Sequence, residues 1–221
     1  PKGETKPMTT FVALLCVANF AQAPKTLQAD FDLKVMDQKA GSAKCVFKTF
    51  ANGNSSRELT LNIEFGGTRG TLKMAETFDA NAFPLESVQS SQNGQAKFQV
   101  TMKYTKNSVQ VTEDAAGKIS RRTLKLSGKN TFVDPSVLWF QGTPPKPGTS
   151  VKYWAVDDDA AKLEQVSIRY VGPRELTIGR KKVRAHLIEG DVATQYWDDQ
   201  GFPYQITFKQ TPVIEITRRL P

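Results

Sequence analysis

Apolar and polar residues alternate along most of this chain. In LTLNIEF, Leu59, Leu61, Ile63 and Phe65 fall on one face, and Thr60, Asn62 and Glu64 on the other. KFQVTMKYT repeats the pattern with Phe98, Val100, Met102 and Tyr104, and ADFDLKV with Phe31, Leu33 and Val35. EQVSIRYV gives Val166, Ile168 and Tyr170; YQITF gives Tyr204, Ile206 and Phe208. A period of two predicts strands with one buried and one wet face. One wet face is the habit of antiparallel sheets, because parallel strands are buried on both sides and read as continuous apolar runs. Turn signals such as ANGNSS, FGGTRG, SQNG, EDAAGK, TIGRKK and WDDQGFP separate the runs at about 8 to 14 residues, the spacing of a sandwich, roll or barrel. The expected fold is all-β: an antiparallel curved sheet, roll or barrel-like.

One internal segment departs from this. In FVDPSVLWF, Asp134 suits a helix N-cap and Pro135 the first helical position, which predicts a short helix near 134–140. It runs into TPPKPG, and proline donates no ladder bond, so residues 142–149 read as a stiff crossover to the strand VKYWAV. The crossover is short, with apolar flanks, unlike a flexible linker. Residues 24–221 therefore read as a single β-domain.

Residues 1–23 read as a signal peptide. MTTFVALLCVANFAQAPK has an apolar core from Phe11 to Ala18, then Ala21-Gln22-Ala23, the small-residue pattern of a cleavage site after Ala23. The core is shorter than the roughly 20 apolar residues that span a bilayer. The competing reading is a buried first strand or helix. Cleavage would leave Cys45 as the only cysteine, unable to form an internal disulfide, and its apolar setting suggests a small buried hydrophobe. The 221 residues carry a net charge of +8 and a pI near 9.5. A basic balance admits anionic partners such as anionic lipid or glycan, but charges spread along strands also serve solubility alone.

The order of four motifs from about residue 130 to 209 resembles an exported bacterial family, the domain of unknown function numbered three-one-zero-eight. These are Asp134-Pro135-Ser136, Lys146-Pro147-Gly148, Gly179 leading to Ala185, and Trp197 with Gly201 and Pro203. The resemblance implies an exported, mostly antiparallel β-fold and no reaction. The chain departs from the family's pattern at the charged hairpin GRKK.

Candidate chemistry is sparse. The one histidine, His186, alternates with Val183, Ala185 and Leu187 in VRAHLIEG and is expected on the wetter face. A Ser-His-Asp triad needs a histidine held by an acid and aimed at a nucleophile, and no G-x-S-x-G elbow is present. Cys45 and His186 alone do not make a zinc site. Asp157, Asp158 and Asp159 read as a solvated loop, not a calcium set, because consecutive acids point to different sides. No phosphate-binding glycine loop occurs. No cofactor and no metal site are expected.

Two features remain as a candidate ligand site. The basic run Arg180, Lys181, Lys182 and Arg184 reads either as an anion contact or as edge-protecting charge on a hairpin. Trp139, Trp154 and Trp197 read as core, or as the apolar mouth of a curved-sheet pocket. The leading expectation is a non-catalytic protein of the cell envelope, periplasmic or secreted, that scaffolds or binds. The alternative is a carrier of lipid or another amphiphile, with Arg180, Lys181 and Lys182 steering the headgroup; a hydrolase ranks last. Nucleic-acid binding is not expected, because aromatics are not interleaved with the basic run. Any membrane association would be peripheral.

Overall fold

A computed structural model describes residues 25–94, 96–128, 130–134, 136, 139–140, 144–157, 162–209 and 212–221. The signal-peptide reading of residues 1–23 and the acids Asp158 and Asp159 lie outside the described residues. The described chain is all-β and antiparallel. Eight strands come first: β1 (Lys25–Val35), β2 (Gln38–Thr49), β3 (Ser55–Phe65), β4 (Thr68–Phe78), β5 (Pro84–Asn93), β6 (Ala96–Thr105), β7 (Ser108–Ala115) and β8 (Lys118–Lys125). Six follow the crossover: β9 (Ser150–Asp157), β10 (Lys162–Ile178), β11 (Lys181–Gly190), β12 (Ala193–Trp197), β13 (Pro203–Phe208) and β14 (Ile214–Arg218).

All fourteen form one curved sheet in the order β8-β7-β6-β5-β4-β3-β2-β1-β14-β13-β12-β11-β10-β9. Each half is a meander of neighbouring hairpins, and a single long-range ladder joins them: β1 pairs with β14 from Phe31↔Arg218 to Val35↔Ile214. The two outer strands, β8 and β9, are not paired with each other, so the barrel-like sheet is open at that seam. Side chains bridge the seam instead. Leu124 and Leu126 from the β8 side and Trp154, Val156 and Leu163 from the β9 side pack around Val100, Met102, Val109, Val111 and Phe132. The Trp154 backbone N–H of β9 also donates to the carbonyl of Thr131, 2.9 Å away, in the full crossover segment that leads from β8 to β9 and ends in the proline stretch.

The period-two faces are buried as the alternation requires. Phe31, Leu33 and Val35 of β1, Cys45 and Phe47 of β2, Leu59 and Leu61 of β3 and Ile214 and Ile216 of β14 form one interior cluster. Gly41 shows how tightly β2 meets β3. A Cβ there would stand 1.9 Å from the Asn62 carbonyl oxygen, and φ is +141°, a conformation side chains rarely adopt. Gly41→Ala is therefore expected to cost about 2–4 kcal/mol, from backbone strain plus overpacking. Urea denaturation measures it, and a loss under about 1 kcal/mol would show that the strands part there easily.

The segment expected to be a short helix shows no α-helical turn among its described residues. Among its described residues only Ser136 has helical geometry, of the 3₁₀ type, and the Trp139 N–H donates to the Ser136 carbonyl at 3.0 Å. Asp134 does cap the turn: its Oδ1 accepts from the Ser136 N–H at 2.9 Å. The turn stays tight because both its ends are held in the interior by large side chains. Phe132 sits against Tyr104, and Trp139 and Phe140 against Tyr170. The proline stretch then docks on β10. The Gly148 N–H donates to the Tyr170 carbonyl and the Tyr170 N–H to the Thr149 carbonyl. Pro147 lies against Gly172, where β10 bulges with φ +117°.

Candidate functional site

The interior holds charge. Arg57 of β3 and Glu76 of β4 are direct cross-strand partners and form an ion pair on the inward face. Arg57 is 2% exposed. The guanidinium also lies over the Phe78 ring, 5.7 Å from its centroid. Buried arginine is rare unless paired. Ser87 and Gln89, inward on β5, and the capping Asp134 are buried around it. These groups line a cavity of about 80 Å³ shared with Tyr153 and Trp154. The Trp154 indole N–H is buried there with no acceptor among the described residues. A cavity near 150 Å³ holds one benzene ring, so this one has room for small polar molecules and none for an acyl chain.

Cys45 faces the same interior. Burial pushes its thiol up from the usual 9.0 to about 11, a rise partly offset by the positive charge of Arg57. The sign follows from the unfolded state ionising first. The native thiol's contribution to stability is complete below pH 9 and is lost as pH rises toward 11. Native Cys45 is expected to resist alkylation at pH 8 and to react once the chain is unfolded. Between pH 9 and 11 the wild type should lose more stability than Cys45→Ala. Rapid labelling of the native protein would refute the burial.

His186 corrects the sequence reading. It is buried, not on a wet face, because the whole run from Ala185 to Ile188 is buried on both sides of β11. Its Nε2 lies 2.8 Å from Asp199 Oδ1 and its Nδ1 lies 2.8 Å from the Tyr170 hydroxyl. A carboxylate only accepts, so Nε2 carries a proton, and in the neutral ring Nδ1 accepts from the Tyr170 O–H. The phenol pKa is raised, first by burial, with Arg184 lowering it and Asp199 raising it, which keeps Tyr170 a hydrogen-bond donor at neutral pH. The chain Asp199–His186–Tyr170 thus orders like an acid–histidine pair, with a phenol where a triad has its nucleophile. Its rings are locked by Phe140, 4.8 Å from the His186 ring centre. His186→Ala leaves the Tyr170 hydroxyl buried without its acceptor, and the expected cost is about 1–3 kcal/mol. Chemical denaturation reads it, and an unchanged midpoint would show that the hydroxyl finds another partner.

The sequence-derived site residues fall into separate places. Trp139 and Trp197 share one cluster with Phe140, Tyr153 and Tyr170. Trp197 is wholly buried and donates its indole N–H to Gln195 Oε1 at 2.9 Å. Trp154 packs against the seam cluster instead. Arg180 and Lys181 stand at the turn between β10 and β11 and line an outer cleft, while Lys182 pairs with Glu175 at 2.8 Å. The cavity lined by Trp154 and the cleft lined by Arg180 and Lys181 share no residue. Sequence alternation missed the Arg57–Glu76 pair and the His186 chain. The one available signal for the pair was an arginine on the face of β3 that also carries Leu59 and Leu61.

No family model matches the chain, and no curated protein matches it. Among solved structures it is similar to a β-barrel-like protein of a domain of unknown function, DUF1849, from Brucella abortus. The TM-score is 0.57 at 9% identity, over 92% of this chain and 97% of that one. A DUF1089 family protein from Pseudomonas aeruginosa aligns with 83% of this chain and 88% of its own at 12% identity, with a TM-score of 0.37, too low to carry an argument. At such identities likeness shows fold alone: the chain has a barrel-like, all-β fold already seen in a protein of unknown function.

Proposed function

We propose that this is a non-catalytic β-protein exported to the cell envelope, periplasmic or secreted, that scaffolds or binds through its outer surface. The observation that carries this reading is the filled interior. The crossover places Phe132, Trp139 and Phe140 inside the curved sheet, where a carrier of the same architecture would keep space for its ligand. The rings are locked by the Tyr170–His186–Asp199 hydrogen bonds. The export part rests on the apolar core and A-x-A of residues 1–23 and on the motif order that resembles the exported family. Cell fractionation with N-terminal sequencing tests export. A mature chain beginning at Pro24 outside the cytoplasm supports it, and a cytosolic chain that retains Phe11 to Ala18 contradicts it.

The second reading, a carrier of lipid or another amphiphile, is favoured by one observation: the seam between β8 and β9 is held by side chains and not by a ladder. In that reading the crossover leaves the interior when ligand enters, and Trp139 and Trp154 report it. Tryptophan fluorescence during titration with lysolipid micelles tests this. A saturable shift favours the carrier, and a flat response the scaffold.

A further inference from the structure

The hairpin of β10 and β11 outgrows its neighbours. β9 pairs with β10 only from Lys162 to Arg169, and β12 with β11 only from His186 to Glu189. Beyond those limits, Arg174–Ile178 and Lys181–Ala185 pair only with each other, as a two-stranded arm. The arm does not project freely. Its tip, Thr177 to Lys181, forms one wall of a cleft of about 690 Å³, and the other wall is built from side chains of β1, β13, β14 and the residues after β14. That volume lies within the range of small-molecule sites.

The cleft's charges are unbalanced. Its acids are already neutralised: Asp32 by Arg219 at 2.8 Å and Glu215 by Lys34 at 3.6 Å. Arg218 is held from outside the lining by Asp198 at 3.0 Å and stacks on Tyr204 at 3.9 Å. Arg180 and Lys181 have no ion partner among the described residues. The lining's five cations and two acids leave +3, or +2 once Asp198 is counted. Lys182 is not part of this surplus, because Glu175 holds it. Edge protection accounts for charge along the arm's strands. It does not account for two cations without an ion partner among the described residues, at a tip facing a wall whose three cations are each held by an acid.

We propose that this cleft binds a phosphate monoester, with the dianionic oxygens held by Arg180 and Lys181 of the arm against the charge-paired wall of β1 and β14. A doubly charged oxyanion matches the +2 surplus, which a monocarboxylate leaves half unbalanced. Guanidinium groups bond such oxygens bidentately. The Thr177 and Thr217 side chains add polar lining, and Ile178 and Leu220 offer an apolar flank to the esterified group. The ester is either soluble or the headgroup of a lipid, and the chemistry at the cleft is the same. This gives the proposed outer-surface binding role its ligand, and it holds whether or not the interior opens.

Isothermal titration of the full chain with phenyl phosphate at about 0.1 M ionic strength is the direct test. Saturable 1:1 binding is expected. R180A/K181A should weaken it about ten- to a hundredfold for each charge-assisted bond lost. R121A/K125A, which removes the same charge from exposed positions on β8, should leave it within about twofold, because charges more than about 8–10 Å away are largely screened. Circular dichroism confirms that both variants fold. In a second arm, vesicles of phosphatidylcholine with phosphatidic acid are added: binding that phenyl phosphate competes away assigns a lipid source, and absence of vesicle binding assigns a soluble ester. No saturable phenyl phosphate binding, or equal weakening by the two double variants, overturns the site. Neither outcome bears on where the protein is exported or on what its interior holds, so the envelope-scaffold reading stands or falls separately.

Discussion

Trp197→Ala is expected to lower the unfolding free energy by about 3–5 kcal/mol. Trp197 ends β12, is fully buried, and lies against the Phe140 ring at 5.7 Å with near-parallel planes. Truncation removes one of the largest buried side chains and leaves a cavity among residues that the ladder holds apart. It also strands Gln195, which is 2% exposed and loses the indole N–H that its Oε1 accepts. The effect should spread to the crossover, because Phe140 bridges Trp197 to Tyr170 and His186. Near-ultraviolet circular dichroism should therefore lose intensity before the strand signal does. Val192→Ser, at an exposed turn, serves as control and should stay within about 0.5 kcal/mol. A Trp197→Ala loss under about 1 kcal/mol would mean that this half of the interior is not a packed core.

Glu76→Ala should cost about as much, 3–5 kcal/mol, for a different reason: it leaves the Arg57 guanidinium buried beside the cavity without its carboxylate. The pair itself is a poor source of stability, because desolvating two charges offsets most of their attraction. Replacing both, as Arg57→Met with Glu76→Leu, should return the protein near wild-type stability or above it. A strongly destabilised double variant would show that Ser87, Gln89 and Asp134 depend on the pair for their own hydrogen bonding. Together with the single variants, the cycle separates a structural ion pair from a polar site kept for another purpose.

Much of the fold was legible in the sequence because one physical rule covers it. Where one face is wet, the period of two survives, and every run read as a strand lies in one: Leu59 to Phe65 in β3, Phe98 to Tyr104 in β6, Tyr204 to Phe208 in β13. The rule fails where both faces are covered. In β11 the four residues from Ala185 to Ile188 are all buried, so alternation placed His186 on a wet face that does not exist there. It fails again where polar side chains turn inward, as with Ser87 and Gln89 of β5. Pairing between β1 and β14 was not legible, because nothing local marks strands almost the full chain apart as neighbours. The crossover was recognised by its prolines, but its role as the filling of the interior depends on contacts by Phe132, Trp139 and Phe140 that have no sequence signature beyond aromaticity. The basic run was visible as a cluster; that only Arg180 and Lys181 reach the cleft depends on the fold of the arm.

The filled interior is the claim on which the functional reading turns, and native mass spectrometry of protein purified gently from its own host tests it most directly. A single species at the mass of the bare chain is expected, unchanged after organic extraction and refolding. A species heavier by the mass of one lipid, lost on extraction and restored on incubation with that lipid, would contradict it and establish that the crossover gives way to a ligand.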